Sequence, residues 1–234
     1  MSPKRLIKFF PRLLASSLFA VAVGNAKAES NPAAIPPMVA ELVETFNDEE
    51  IPFNDKLITI GRADAPATGI LILGLSENSS YLMKRVIPDL EKKYAKSGKV
   101  KFVIIELPLT WHDMQAFAGF RCVSSDKHWE VMQNALSYPR DHYQMKQASY
   151  LNAPGYIWSM MKGYGVERAQ AEKCMRNNAI VGHVEGQRRL IKESWGIDTA
   201  PSFVIGETVL TNPKSEGPII SAIENYLEGS KNEK

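Results

Sequence analysis

The chain has 234 residues, with 28 basic and 26 acidic side chains for a formal net charge of +2, 44% hydrophobic residues and two cysteines. That length buries an ample core without a disulfide framework, and it fits one domain or one domain with a large insertion. The positive balance is local: residues 1–28 hold Lys4, Arg5, Lys8, Arg12 and Lys27 and no acid, so the remainder carries a net −3 and offers no electrostatic case for nucleic-acid binding.

The basic start runs into an apolar stretch, Leu13 to Gly24, and then Ala26-Lys27-Ala28. This is the order of a cleaved secretory leader, and the apolar stretch is shorter than the roughly 20 residues that span a bilayer. The expectation is a leader at residues 1–28, an oxidising periplasmic destination, and no stable membrane anchor after cleavage. Residues 29–55 form an extension in which Met38, Val39, Leu42, Val43 and Phe46 recur at helical spacing. That amphipathic stripe, residues 38–46, either docks on its own domain or pairs two copies as a homo-oligomer.

Lys56 to Gly61 reads as a short strand and Ile70 to Leu75 as a buried one, its unbroken apolar run calling for cover on both faces. The polar knot Ser76-Glu77-Asn78-Ser79-Ser80 follows, read as an N-cap and loop. Leu82, Met83, Val86, Ile87, Leu90 and Tyr94 then keep helical spacing until Ser97-Gly98, with Pro88 inside the pattern predicting a kink. Val100 to Leu107 is a second buried strand, so the span is a βαβ unit with a parallel pair. From Trp111 to Asn178 the pattern is helical in four segments, broken by Pro139, Pro154 and Gly163 to Gly165. A long helix from Ala179 to Trp195 precedes two short strands, "PSFVIG" and "ETVLT", that read as a hairpin, and a last helix covers Gly217 to Leu227.

Cys122 and Cys174, 52 residues apart in helix-like stretches, form one structural bridge in an oxidising compartment or stay as two buried thiols. No ligand spacing surrounds either, and no metal or other cofactor is expected. His112, His128, His142 and His183 lie on four different elements with no Ser-His-carboxylate pattern. Trp129, Trp158, Met160 and Met161 read as core, and Arg188, Arg189 and Lys192 as a solvated helix face.

Strand-helix-strand, a helical block, a helix, a hairpin and a last helix is the order of an α/β thioredoxin-like fold with an inserted helical domain. From Lys56 to Leu227 the chain resembles the DsbA-like thiol–disulfide oxidoreductases. The stretches that carry the likeness are "DAPATGILILGL", "VIPDLEKKYAKSGKVKFVIIELPL", "FRCVSSDKHWEVMQNAL" and "GIDTAPSFVIG", in the family's order. The resemblance implies a thioredoxin-like domain over 56–110 and 179–230 and a helical insertion over 111–178.

In that family the turn after the buried strand holds Cys-x-x-Cys, whose first thiolate is favoured by the helix N-terminus. Counting back from Pro88 places those positions on Ser76 and Ser79; counting forward from Asp64-Ala65-Pro66 places them on Glu77 and Ser80. No residue from Leu75 to Tyr81 is cysteine. A hydroxyl cannot cycle through a disulfide, and a helix terminus worth at most about 2 kcal/mol cannot ionise an alcohol at neutral pH. The resemblance further makes Pro201 the family's cis-proline, with Thr199 and Ala200 at a peptide-binding edge, and places Cys122 and Cys174 where several relatives carry a structural disulfide. The function expected is thus an exported polypeptide-binding or chaperone-like module without a redox dithiol. The alternative is a glutathione-dependent transferase or isomerase of the kappa-like class, using an active-turn serine.

Overall fold

The two apolar runs become neighbouring central strands because neither has a polar face to offer water. In a computed structural model, described for residues 53–137, 147–148 and 152–232, they are β2 (Ala67–Leu73) and β3 (Val100–Glu106), buried at every position and paired in parallel. The five-stranded sheet has the order β1-β3-β2-β4-β5. β1 (Ile58–Ile60) runs antiparallel to β3 on one edge. β4 (Ser202–Ile205) lies antiparallel to β2 and forms the expected hairpin with β5 (Thr208–Thr211).

Alternation along these strands builds two cores. Leu71, Leu73, Phe102, Ile104, Phe203 and Ile205 face a helix that follows β2 and the C-terminal helix α7 (Glu216–Asn232). Ile70, Ile72, Val103, Ile105 and Val204 face Ile191 of α6 (Asn178–Trp195). Gly69 is needed between the two aromatic neighbours: a methyl there would sit 2.9 Å from the ring of Phe203 and 3.1 Å from that of Phe102.

The helix after β2, α1 (77–95), starts earlier than the sequence pattern predicts. Glu77–Tyr81 is already helical, so the serine knot is the first helical turn with Ser76 as its cap. The apolar spacing begins only at Leu82 because the first turn faces polar surroundings. Pro88 does distort the run: Leu82–Val86 widens to π geometry just before it, Val86 departs to φ −107°, and Ile87–Leu90 resumes the α form. Widening at this point accommodates the missing Pro88 N–H.

Between β3 and α6 lie α2 (Trp111–Phe120), α3 (His128–Ser137), α4 (Ala153–Met161) and α5 (Arg168–Cys174). Pro154 sits in the first turn of α4, where a missing N–H costs nothing, instead of breaking a helix. Met160 and Met161 are buried in the core, while Trp129 and Trp158 are partly buried against it. Arg188, Arg189 and Lys192 are exposed, with Arg188 paired to Glu185. Cys122 and Cys174 are bridged, Cys122 two residues past the end of α2 and not within a helix. No described helix is long and apolar enough to cross a membrane. The leader, the stripe at 38–46, Pro139 and His142 lie outside the described residues.

Candidate functional site at the serine turn

Three pieces of chain meet at the end of β2. Gly74 is the junction: a methyl on it would lie 2.9 Å from the Leu107 carbonyl oxygen, 3.0 Å from Ala200 Cβ and 3.6 Å from Leu109 Cδ1. Only glycine lets the turn after β2, the loop after β3 and the residue before Pro201 approach this closely.

The turn closes on itself with oxygen. Ser76, in extended conformation, accepts from the Ser79 N–H at 3.2 Å, and its hydroxyl donates to Ser79 Oγ at 3.0 Å. Ser79 Oγ also accepts from the Gly74 N–H at 3.2 Å, and the Ser80 hydroxyl donates to the Ser76 carbonyl at 3.0 Å. Ser79 and Ser80 are buried, Ser76 and Asn78 half-buried and Glu77 exposed. Ser76 as cap and Ser79 three residues on are therefore the pair whose oxygens face each other, in agreement with the count back from Pro88. Ser80 turns instead to the backbone. Asn78 reaches across 134 residues of sequence to donate to Asn212 Oδ1 at 3.0 Å.

Opposite the turn, the Ala200–Pro201 bond is cis. The Pro201 carbonyl accepts from the Asn212 N–H at 2.8 Å, and the Thr199 carbonyl accepts from the Ser202 hydroxyl at 2.8 Å. Ala200 lies outside the β4 ladder, and among the described residues its backbone N–H and C=O have no intramolecular partner. Leu109, which also meets Gly74, is 42% exposed, and Trp111 two residues on is 50% exposed.

A second cluster escaped the sequence reading, which placed the histidines apart. Glu106 at the end of β3, Arg121 just after α2, His128 of α3 and Gln187 of α6 converge in a fully buried network. Arg121 grips Glu106 with two nitrogens at 2.9 and 2.6 Å and reaches the carbonyls of Asn54 and Lys56, both at 3.1 Å. Burial pushes the Glu106 carboxyl up, but Arg121 and then His128 outweigh it and hold it at about 2. His128 is pulled below its ordinary value chiefly by burial. Its neutral ring donates from Nε2 to Glu106 at 2.8 Å and accepts at Nδ1 from Asn54 at 2.9 Å. His183, against Gln187 and edge-on to Phe53, is held at about 4 by burial and then by Arg121. The one sequence signal was a Glu closing an apolar strand and an Arg following an apolar helix, charges that survive burial only when paired. A cavity of about 560 Å³ beside Arg121, Cys122 and Tyr164 borders this network, and its lining includes no residue of the serine turn or the Pro201 edge.

A thioredoxin family model matches residues 81–225, opening one residue past the serine turn. The chain belongs to the thioredoxin family. Among relatives of this thioredoxin-family chain, a Rickettsia conorii protein bearing a provisional protein-disulfide oxidoreductase name is 23% identical over 154 residues, 65% of this chain and 53% of its own. A Rickettsia bellii protein named likewise is 23% identical over 214 residues, 86% of this chain and 78% of its own. The chain thus spans about half the length of the first of these relatives. Among solved structures, α-DsbA1 of Wolbachia pipientis superposes with a TM-score of 0.63 at 15% identity, covering 81% of this chain and 99% of that one. BdbD of Bacillus subtilis gives 0.62 at 17%, covering 73% and 92%. A protein-disulfide isomerase of Novosphingobium aromaticivorans gives 0.62 at 14%, covering 73% and 97%. The fold is that of the DsbA-like thioredoxin proteins. These matches do not favour the glutathione alternative, and of the active-turn serines Ser76 donates to Ser79 and Ser80 to the Ser76 carbonyl.

Proposed function

We propose that this chain is an exported, DsbA-like polypeptide-binding protein that does not exchange disulfides. The observation that carries the reading is Ala200. Its two unpaired backbone groups stand beside an apolar rim and a turn of oxygen, the arrangement that pairs with an extended chain by strand addition. Electron transfer has no route in such a turn, because the Ser76 and Ser79 oxygens cannot form and break a bond to each other under physiological oxidants. Both cysteines of the chain are committed to the Cys122–Cys174 bridge, with Cys174 fully buried. The basic, apolar, small-residue start of the chain supports delivery to the periplasm, where reduced and unfolded clients occur.

The test uses the purified protein in two assays. It is expected to reduce and oxidise model disulfide substrates no faster than buffer, and to delay aggregation of a reduced client at stoichiometric ratios. Turnover well above buffer, or no protection and no binding of an unfolded chain, would overturn the reading.

A further inference from the structure

Asn212 touches both halves of the groove. Its side-chain oxygen accepts from Asn78 of the serine turn at 3.0 Å, and its backbone N–H donates to the Pro201 carbonyl at 2.8 Å. It is also the one residue other than glycine, among those described, held at positive φ, at 48°. Asparagine tolerates that left-handed conformation better than most side chains, but a surface loop has no need of it. Residues kept in sparsely populated conformations cluster where the surrounding structure over-determines them. Here the conformation aims the N–H at one wall and the amide at the other.

We propose that Asn212 is the positioning residue that sets the spacing between the serine turn and the Ala200–Pro201 edge, and so selects an extended main chain as occupant. This rests on the polypeptide-binding reading. Asn78 is half-buried at the start of α1, in the turn whose end meets Ala200 across Gly74. Tying it to the loop after β5 holds the turn and the Pro201 edge at one separation beside Ala200, which is itself buried.

The test compares the full chain with Asn78→Ala, Asn212→Gly, their combination and Asn212→Asp, reading the affinity for a fluorescent, reduced and carboxymethylated lactalbumin. Each single loss of the bridge is expected to weaken binding about two- to tenfold, the range for one hydrogen bond. The pair should weaken it no further than one alone, because both changes remove the same contact. Asn212→Asp keeps the acceptor and the tolerance of positive φ, and should bind as the parent does. In parallel, amide exchange at Asn212 should quicken in Asn78→Ala at unchanged global stability. Additive effects of the two changes, or unchanged exchange at Asn212, would overturn the assignment. Should the parent bind no lactalbumin, the polypeptide-binding reading fails, and the exchange result alone decides whether Asn212 braces the two walls.

Discussion

Ser76 and Ser79 hold their oxygens 3.0 Å apart, within about 1 Å of a disulfide bond length. The backbone around them therefore already has the approach that a dithiol needs. Ser76→Cys with Ser79→Cys is expected to close a second disulfide on mild oxidation, seen as two thiols lost to titration. The variant should also show more exchange activity than the parent, since a cap-position thiolate faces the helix N-terminus. If the paired thiols stay reduced under an excess of oxidant, the turn is not the geometric equivalent of a dithiol site.

The buried histidines and Glu106 set the acid limit of the fold. His183 falls from its ordinary 6.5 to about 4 on folding, so the unfolded chain binds more protons between those values. Its contribution is complete above pH 6.5 and is lost as pH falls toward 4. Glu106, lowered from 4.5 to about 2, keeps its contribution above pH 4.5 and loses it as pH falls toward 2. Urea unfolding should show stability declining from pH 6.5 downward, with His183 worth on the order of 3 kcal/mol of that fall. His183→Phe, which can keep the packing on Phe53, should shrink the loss between pH 6.5 and 4, leaving the part due to His128 and the Glu106 limb in place.

At the scale of elements, the Cys122–Cys174 bridge ties the end of α2 to the end of α5 across 52 residues. Closing a loop of that size restricts the unfolded chain by roughly 4 kcal/mol in the entropy model. Denaturant unfolding with and without reductant is expected to differ by about that amount, with no change in polypeptide binding, because the bridge lies on the helical block. A loss of binding on reduction would instead couple the bridge to the groove. Helix α1 carries a different kind of constraint. Its Pro88 and two π-wide segments turn an otherwise regular run, while Lys93 and Tyr94 near its end both bond Glu224 of α7. The exposed Lys93–Glu224 pair itself adds little, since water screens it.

For the whole molecule, the sheet is covered on both faces, and among the described residues Tyr81, Leu109, Trp111, Tyr156 and Val209 are large apolar side chains left exposed. Of these, Leu109 lies where the loop after β3 meets Gly74 and Ala200. An exposed leucine there is a candidate contact for the polypeptide proposed above. Leu109→Asp is expected to weaken capture of an unfolded, reduced client about tenfold while shifting unfolding free energy by less than about 0.5 kcal/mol, as is usual for a surface change. Equal binding by this variant would remove the rim from the proposed groove.

The sequence by itself determined the strands, the helix spacing, the hairpin and the missing sulfur between Leu75 and Tyr81. All of these follow from contacts a few residues long: alternation, 3.6-residue spacing, and the chemistry of single side chains. It left the one-residue register of the turn open and marked the first turn of α1 as a loop, since a helical turn with no apolar face carries no periodic signal. Tertiary structure alone decided that Ser76 faces Ser79, that Glu106, Arg121, His128 and His183 are buried together, and that Asn78 meets Asn212. Ser76 and Ser79 are only three residues apart, but Glu106 and Arg121 are 15 apart and Asn78 and Asn212 are 134 apart, brought together by the packing of separate elements, and no local pattern in the chain records those pairs.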